Sequence, residues 1–308
     1  MNGVFLFLIW LSLAGAFAQP VRSFVETVDM QTGKREVVFS DTGRYEAPNW
    51  SRDGRFLLLN KNGRMLRFDL ASRRMMPINT GFAVNCNNDH GISPDGRQMV
   101  ISHYNQPPDE PTNYRTSTIY TLPIEGGTPK LITPLTPSFW HGWSPDGQTL
   151  AYVGEREVAG KKDFDIYTIP VAGGPERRLT DTPGLDDGPD YSPDGRFIYF
   201  NSYRSGRMQI WRMGADGSNP EQLTNDRHSN WFPHPSPDGK LVVYLCYIED
   251  QQQAHPFGKD VKLRLMDPAT QAVRDLTGVF FGGQGTINVP SWAPDSQKLA
   301  FVRYEVLP

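Results

Sequence analysis

Three of the six histidines stand at nearly the same distance before copies of a repeated tetrapeptide, Ser-Pro-Asp-Gly. His90 and His141 lie three residues before the serine of a copy, and His234 lies two before. Equivalent positions of a repeat occupy equivalent heights in a repeat protein, and imidazole nitrogens bind zinc-like ions. The spacing predicts that these histidines meet at one level, where Gln284 adds a fourth candidate ligand for a divalent metal (Mn, Zn or Ca). Alternatively, each histidine hydrogen-bonds a neighbouring backbone.

An acidic pair, Asp186–Asp187, precedes another copy, and Arg204 follows on a turn of the same repeat. A carboxylate, a guanidinium and an imidazole together suit proton abstraction next to a carboxylate group. The catalytic candidates are therefore Asp187, Arg204 and His234. The acidic pair equally suits a solvated loop with an ordinary ion pair. His255 is a further candidate ligand.

Aromatic residues lie in the same segments. Trp140 and Trp231 suit the rim of a sugar-binding pocket, or else wedge packing between repeats. Trp50, Trp143 and Trp292 directly precede a motif serine or alanine and are predicted to be core. The candidate ligand-binding residues are Asn88, His90, Trp140, His141, Asp187, Trp231, His234, Gln284 and Asn288.

The tetrapeptides reveal the elements that must position these residues. Ser, Pro and Gly at these positions favour a type I turn. Four copies are perfect, two are weaker, and successive copies start 42 to 57 residues apart. The copies are Ser51–Gly54, Ser93–Gly96, Ser144–Gly147, Ser192–Gly195, Ser236–Gly239 and Ala293–Ser296.

Each repeat reads as four short strands. Gly188–Ser192 leads into the turn at Ser192. The β-branched and aromatic runs after it are separated by polar turns and are Arg196–Ser202, Gln209–Met213 and Glu221–Thr224. Four strands in about 48 residues make a propeller blade. The fold class predicted is all-β: a six-bladed β-propeller with four antiparallel strands per blade.

The two ends of the chain supply half a repeat each. The last copy provides only two strands, Val289–Ala293 before its turn and Lys298–Tyr304 after it, whereas Ser23–Asp29 and Glu36–Phe39 precede the first copy. Joining them completes a sixth blade and hides two sheet edges. An open array or a sandwich would leave both half-repeats unexplained.

Blade topology divides the candidates between two surfaces. The segments leading into the innermost strands share one face, here the loop face, with the connections between second and third strands. The tetrapeptide turns occupy the opposite turn face. Because function concentrates on loops held by a rigid scaffold, the loop face is predicted to carry the site, with its candidate residues in loops.

These motifs resemble a known family. The tetrapeptide followed by Ser202–Gly206, Ile210–Met213 and Gln222–Thr224 is similar to the TolB-type propeller repeat, which is related to the propellers of prolyl oligopeptidases and oligogalacturonate lyases. The resemblance implies a propeller. The lyases bind a divalent metal through His and Gln, which would suit the histidines above.

Two features of the family are not expected here. Only a few residues separate Gln19 from the first predicted strand, so TolB's preceding α/β domain, and with it a Tol role, is not expected. No Gly-x-Ser-x-Gly elbow occurs, which excludes serine peptidase activity.

The first residues read as a secretory signal. Val4–Phe17 is almost entirely apolar and Ala16–Ala18 is a small-x-small cleavage pattern, predicting a signal peptide over 1–18, cleaved after Ala18, and a propeller over 19–308. A periplasmic or secreted monomer is therefore predicted, with no membrane span.

The acidic and basic residues, with a net charge of −3, are mixed along the chain, which argues against a nucleic-acid partner. Cys86 and Cys246 fall in different blades and are predicted to be free thiols.

Two functions compete on this evidence. The first is a non-catalytic binding or interaction module that binds an envelope protein or glycan through the loop face. The alternative is a metal-dependent, lyase-like enzyme acting on acidic sugars with the histidine cluster. A purely structural scaffold is the third interpretation.

Overall fold

The computed structural model describes residues 20–107 and 110–308 as an almost purely β-structure. Six antiparallel sheets and a single 3₁₀ turn at Tyr114–Thr116 make up the described part. The predicted signal peptide over 1–18 lies outside the described residues. Over the described ranges, no helix is both long and apolar enough to span a membrane.

The strands follow one another blade by blade, with the innermost strand first in blades one to five. Blade one contains β3 (Tyr45–Trp50), β4 (Phe56–Lys61), β5 (Arg64–Asp69) and β6 (Met75–Pro77), and blade two contains β7 (Cys86–Ile92), β8 (Gln98–Tyr104), β9 (Ser117–Pro123) and β10 (Lys130–Leu131). Blade three contains β11 (Ser138–Trp143), β12 (Thr149–Val158), β13 (Lys161–Pro170) and β14 (Arg177–Arg178), and blade four contains β15 (Asp186–Tyr191), β16 (Phe197–Ser202), β17 (Gln209–Gly214) and β18 (Glu221–Gln222). Blade five contains β19 (Ser229–Pro235), β20 (Val242–Tyr247), β21 (Phe257–Met266) and β22 (Val273–Asp275), with β23 (Phe280–Gly283) pairing the first half of β21.

The sixth blade joins the two ends of the described chain, as the half-repeats predicted. β1 (Val21–Asp29) pairs with β2 (Arg35–Thr42) on one side and with β24 (Lys298–Val306) on the other. The predicted inner strand Val289–Ala293 is reduced to an isolated bridge between Trp292 and Leu299. The six-bladed, four-stranded architecture is therefore confirmed, with its last inner strand irregular.

The tetrapeptide turns are held by side chains as well as by backbone. In each of the five copies that begin with serine, the serine hydroxyl donates to the motif aspartate at 2.6–2.8 Å. The same hydroxyl accepts a hydrogen bond at 2.9–3.0 Å from the backbone N–H five residues later. The aspartate also accepts from the N–H two residues on, for example Gln148. These aspartates stabilise turns, as expected.

Each innermost strand of blades one to five carries a β-bulge near its middle. The pairing register shifts between Glu46 and Asn49, between Cys86 and His90, and between Trp140 and Gly142. Equivalent shifts occur between Asp187 and Asp190 and between Trp231 and His234. A bulge leaves residues unpaired and redirects their side chains. The segments predicted to be loops are thus strands, interrupted at one level of the ring.

Large apolar side chains fill the spaces between the blades. Trp50, Trp143 and Trp292 are buried, as predicted, and line a hollow of about 230 Å³ on the turn face together with motif prolines. Cys86 and Cys246 are both buried free thiols, which confirms the prediction from blade assignment.

Candidate functional site

A cavity of about 520 Å³ opens on the loop face, where five blade segments converge. Its lining combines aromatic rings, carboxylates, imidazoles and amides, with two aliphatic side chains. The lining residues are Asn87, Asp89, Tyr104, Tyr114, Phe139, His141, Val153, Asp163, Phe164, Leu185, Asp187, Phe232, Gln253, His255, Gln284 and Asn288. Among the predicted ligand-binding residues, His141, Asp187, Gln284 and Asn288 come together here.

One carboxylate in the cavity is shared by two imidazoles. Nε2 of His141 lies 3.1 Å from Oδ1 of Asp187, and Nε2 of His255 lies 3.6 Å from Oδ2. Burial opposes charge on both members of the closer pair. The attraction between the members outweighs it, raising the pKa of His141 and lowering the pKa of Asp187. Both shifts favour the charged pair, an imidazolium at His141 beside a carboxylate at Asp187, and the backbone of Asn288 also faces the His141 ring.

Aromatic rings surround these imidazoles. The His141 ring stacks on Phe232 with centroids 5.9 Å apart, and His255 meets Phe232 and Trp231 edge to face at 5.2 and 4.8 Å. These ring contacts fix the orientation of both imidazoles. The wall they form is apolar on its face and polar at its edge, which suits a ligand with both kinds of surface.

A second buried carboxylate, Asp89, lines the same cavity from blade two. Its Oδ2 accepts a hydrogen bond of 2.5 Å from Nδ2 of Asn87, and only 6% of the residue is exposed. Burial raises the pKa of Asp89 to about 7. The His141 charge opposes this shift, and the negative charges of Asp187 and Glu46 add to it. Asp89 therefore gains and loses a proton near neutral pH.

The bulges explain why His90 and His141, which both lie three residues before a motif serine, have different surroundings. His141 is the extra residue of its bulge, between the paired residues Trp140 and Gly142, and its side chain reaches the cavity. His90 instead pairs with Ile101 after a longer bulge over 87–89. Its ring is enclosed where backbone groups of Ala47 and Leu58 face it, and burial lowers the pKa of His90 to about 4. His90 is thus a core residue, contrary to expectation.

His234 is also unavailable as a metal ligand. Its Nδ1 lies 3.0 Å from Oδ2 of Asp190, and its Nε2 lies 2.8 Å from the carbonyl oxygen of Ile287. Because the carbonyl can only accept, Nε2 must carry a proton, and Nδ1 is engaged by the carboxyl group. No lone pair remains for a metal.

The predicted convergence of His90, His141 and His234 is therefore absent. Within residues 20–107 and 110–308, no three His, Cys, Asp or Glu side chains are grouped as metal ligands. Gln284 reaches the cavity without the histidine partners that the hypothesis required. The residues present do not fit the proposed divalent metal.

The proposed catalytic trio is likewise dispersed. Successive side chains of a strand point to opposite faces, so Asp186 and Asp187 separate. Asp186 turns away from the cavity to Arg204, whose Nη2 lies 2.8 Å from its Oδ2, while Asp187 faces His141. His234 is bound to Asp190, so Asp187, Arg204 and His234 are not assembled with one another for proton abstraction.

Three other candidates lie in the core rather than on a rim. Trp140 and Trp231 are 1% and 0% exposed, and the Trp140 ring packs so closely on Gly91 that no side chain would fit there. The wedge-packing alternative therefore describes both tryptophans. Asn88 is buried and donates to Oε1 of Glu46 at 3.3 Å, outside the cavity lining.

Sequence reasoning missed most of the cavity. Asp89, Tyr104, Asp163 and Phe164 were not singled out, although they line it. Asp163 and Phe164 come from the long β12–β13 hairpin of blade three, whose unusual length was the available signal. Asp89 gave no comparable signal because its position depends on the length of the bulge in β7.

Comparison with known proteins identifies the family. Residues 113–280 match the TolB beta propeller domain. An uncharacterized protein of Agrobacterium fabrum is 48% identical over 285 residues, covering 92% of this chain and 93% of that protein. A solved structure from Agrobacterium tumefaciens, described as a TolB candidate, superposes with a TM-score of 0.86 at 47% identity and covers 93% of this chain and 99% of that one.

A more distant solved structure has the same fold. TolB from Acinetobacter baumannii has a TM-score of 0.66 at 19% identity, covering 88% of this chain and 66% of that one. The family match spans more than half of the sequence, and a relative close to half identical spans nearly all of it. The chain therefore belongs to the TolB beta propeller family.

Proposed function

We propose that this propeller is a binding protein of the cell envelope and that its loop-face cavity takes a carbohydrate-type ligand. The observation that carries the proposal is the cavity itself, with about 520 Å³ enclosed by rings and hydrogen-bonding groups. Small-molecule sites usually occupy roughly 300 to 1,000 Å³ and combine apolar walls with a few convergent polar groups. The cavity has this composition.

The side chains suit a saccharide in particular. Phe139 and Phe164 offer apolar surfaces to the carbon faces of sugar rings, and the amides of Gln284 and Asn288 offer donors and acceptors to hydroxyl groups.

Binding is favoured over lyase-like catalysis by the chemistry of the lining. The metal ligands and the catalytic trio are not assembled, as described above. In addition, the described cavity lining contains no lysine or arginine, and its two imidazoles face Asp187, so an acidic sugar would bring its charge to a site without an unpaired counter-charge. Export by the predicted signal peptide and a monomeric state belong to the same proposal.

Blocking the cavity tests the proposal. Leu185 lines the cavity, and Leu185→Trp would fill part of it, whereas Leu185→Met conserves volume. On a glycan array containing neutral, acidic and amino sugars, the wild-type protein is expected to bind a defined subset. We expect Leu185→Trp to lose at least about tenfold in affinity for that subset and Leu185→Met to keep it. Equal binding by Leu185→Trp and wild type, or no binding by the wild type, would refute the proposal.

A further inference from the structure

The buried carboxylates of this protein differ in one respect: whether a basic side chain accompanies them. Six aspartates and glutamates of the described chain are buried, and five have a basic partner. The pairs are Glu26 with Arg35 and Arg303, Asp165 with Arg178, Asp186 with Arg204, Asp187 with His141 and His255, and Asp190 with His234. Asp89 is the sixth, and no basic side chain of the described residues forms an ion pair with it.

The charge of His141 acts on Asp89, but His141 is already paired with Asp187. Within the described residues, the one hydrogen bond to the Asp89 carboxyl group from another side chain comes from the neutral amide of Asn87. Arg44 is already engaged elsewhere. Its Nη2 lies 2.6 Å from Oε1 of Glu46 and also donates to the carbonyl of Gln284. A buried carboxylate is costly to ionise unless it is paired, so Asp89 lacks what the other five possess.

The cavity wall around Asp89 is suited to a positive charge on a carbon framework. Asp163 and Asp187 line the same cavity, so three carboxylates face it, whereas the basic side chains of the described lining are His141 and His255 alone. His141 is paired with Asp187, and burial lowers the pKa of His255. The rings of Tyr104, Phe139 and Phe164 complete the wall, and aromatic faces attract organic cations.

We propose that the ligand of this cavity is an amine-bearing saccharide whose ammonium group binds Asp89. The inference rests on the proposed carbohydrate-binding function and specifies its ligand class. The ammonium group provides the ion pair that Asp89 lacks, while the sugar ring packs on the aromatic wall. Neutral N-acetylated sugars present the same ring without this charge and are expected to bind more weakly.

A matched pair of disaccharides tests the charge directly. Chitobiose with both amines free and N,N′-diacetylchitobiose share one backbone and differ in whether the nitrogens can be charged. By isothermal titration calorimetry, we expect the free amine form to bind the full-length protein at least about tenfold more tightly. Asp89→Asn keeps the shape of the side chain and is expected to abolish that preference. Glu125→Gln removes an exposed carboxylate from the outer surface and should preserve it.

The outcomes separate this inference from the function on which it rests. Equal or tighter binding of the acetylated disaccharide overturns the charge assignment and leaves carbohydrate binding intact. An undiminished amine preference in Asp89→Asn overturns the role of Asp89. Stoichiometric binding of MnCl₂ that Asp89→Asn abolishes would show that Asp89 serves a metal and would also overturn the inference. If no sugar on the glycan array binds the wild-type protein, the proposed carbohydrate-binding function itself is refuted. The comparison of the two disaccharides uses the wild-type protein, so it tests the charge assignment even if Asp89→Asn does not fold.

Discussion

At the scale of single residues, the cavity contains two carboxylates in opposite electrostatic situations. The approach of His141 and His255 lowers the pKa of Asp187, whereas none of the described basic side chains forms an ion pair with Asp89. The two are similarly buried, so neighbouring charge and not exposure distinguishes them. The difference can be measured through stability.

The first prediction concerns pH. Asp89 keeps its proton up to about pH 7 in the folded protein, whereas an unfolded aspartate loses it near 3.9. Between these values the folded state binds more protons, so Asp89 makes stability fall as pH rises, by up to about 1.4 kcal/mol per pH unit. Asp89→Asn removes this contribution. The free energy of unfolding of the variant, relative to that of the wild type, should therefore increase from pH 4 to pH 7. Urea unfolding of both proteins across that range measures the difference.

The comparison between variant and wild type is needed because the titration of other groups makes stability rise with pH. Burial lowers the pKa of His90 to about 4, so the unfolded state binds the extra proton between about pH 4 and 6.5 and stability rises with pH. That contribution is common to both proteins and cancels. A stability difference that does not vary with pH would mean that Asp89 is solvated and ordinary.

The second prediction concerns the ion pair. Removing one member of a buried pair leaves an uncompensated charge, so His141→Ala should lower the free energy of unfolding by about 3 to 5 kcal/mol. Asp187→Ala should be similarly damaging, and the double variant should lose clearly less than the sum of the two. A double-mutant cycle by urea unfolding at pH 6 provides the coupling energy. Additive losses would show that the two side chains do not interact.

At the scale of the structural element, the sixth turn lacks a hydrogen-bonding group that the other five turns share, the serine hydroxyl. Ala293 replaces the motif serine, although its backbone makes the same two bonds: its N–H donates to Lys298 and its carbonyl accepts from Ser296. Asp295 accepts from Gln297 as its counterparts do. Ser296 stands in place of the motif glycine. Of the hydrogen bonds that hold the other five turns, only those of the serine hydroxyl to the aspartate and to the following strand are absent.

The third prediction is that Ala293→Ser stabilises the protein. The backbone frame is already present, so the new hydroxyl should form both bonds and add about 0.5 to 1.5 kcal/mol. The reverse change in a complete turn, Ser144→Ala, should cost a comparable amount. Thermal and urea unfolding of the two variants can be compared directly. Destabilisation by Ala293→Ser would indicate that its neighbours cannot accommodate an oxygen.

The turns and the bulges differ in how far sequence predicts them. The turn is specified by four consecutive residues, and so all six copies, the blade boundaries and the ring closure could be derived. A bulge is an extra residue relative to a partner strand, and its length cannot be counted in one strand alone. His90 and His141 illustrate this: equal spacing from the motif predicted equal roles, yet one is paired in the ladder and the other is not.

At the scale of the whole molecule, the sixth blade closes the ring without a covalent bond. β1 pairs with β24 over nine residues, and its Val25 and Val28 are completely buried in the core. Blade six is therefore the one place where segments from opposite ends of the chain must find each other for the ring to form.

The fourth prediction is that deleting residues 21–42 abolishes cooperative unfolding. The deletion exposes one edge of β24 and removes buried valines, so aggregation is expected. Circular dichroism during heating, together with size-exclusion chromatography, measures both effects. Inserting Gly-Ser after Gly33, at the exposed tip of the β1–β2 hairpin, is the control and should leave the transition nearly unchanged. A soluble deletion variant that melts at the wild-type temperature would disprove the role assigned to β1.

The antiparallel pairing of β1 with β24 also determines how the ring responds to force. Val21 pairs with Val306, and the Pro20 carbonyl accepts a hydrogen bond of 2.8 Å from the Leu307 N–H, so these two ends lie side by side. Tension applied between residues 20 and 307 would load the nine residue pairs one after another, like a zipper. Tension applied between residues 31 and 307 would load them all at once, in shear. In single-molecule pulling, the first geometry should open the ring at a markedly lower force than the second.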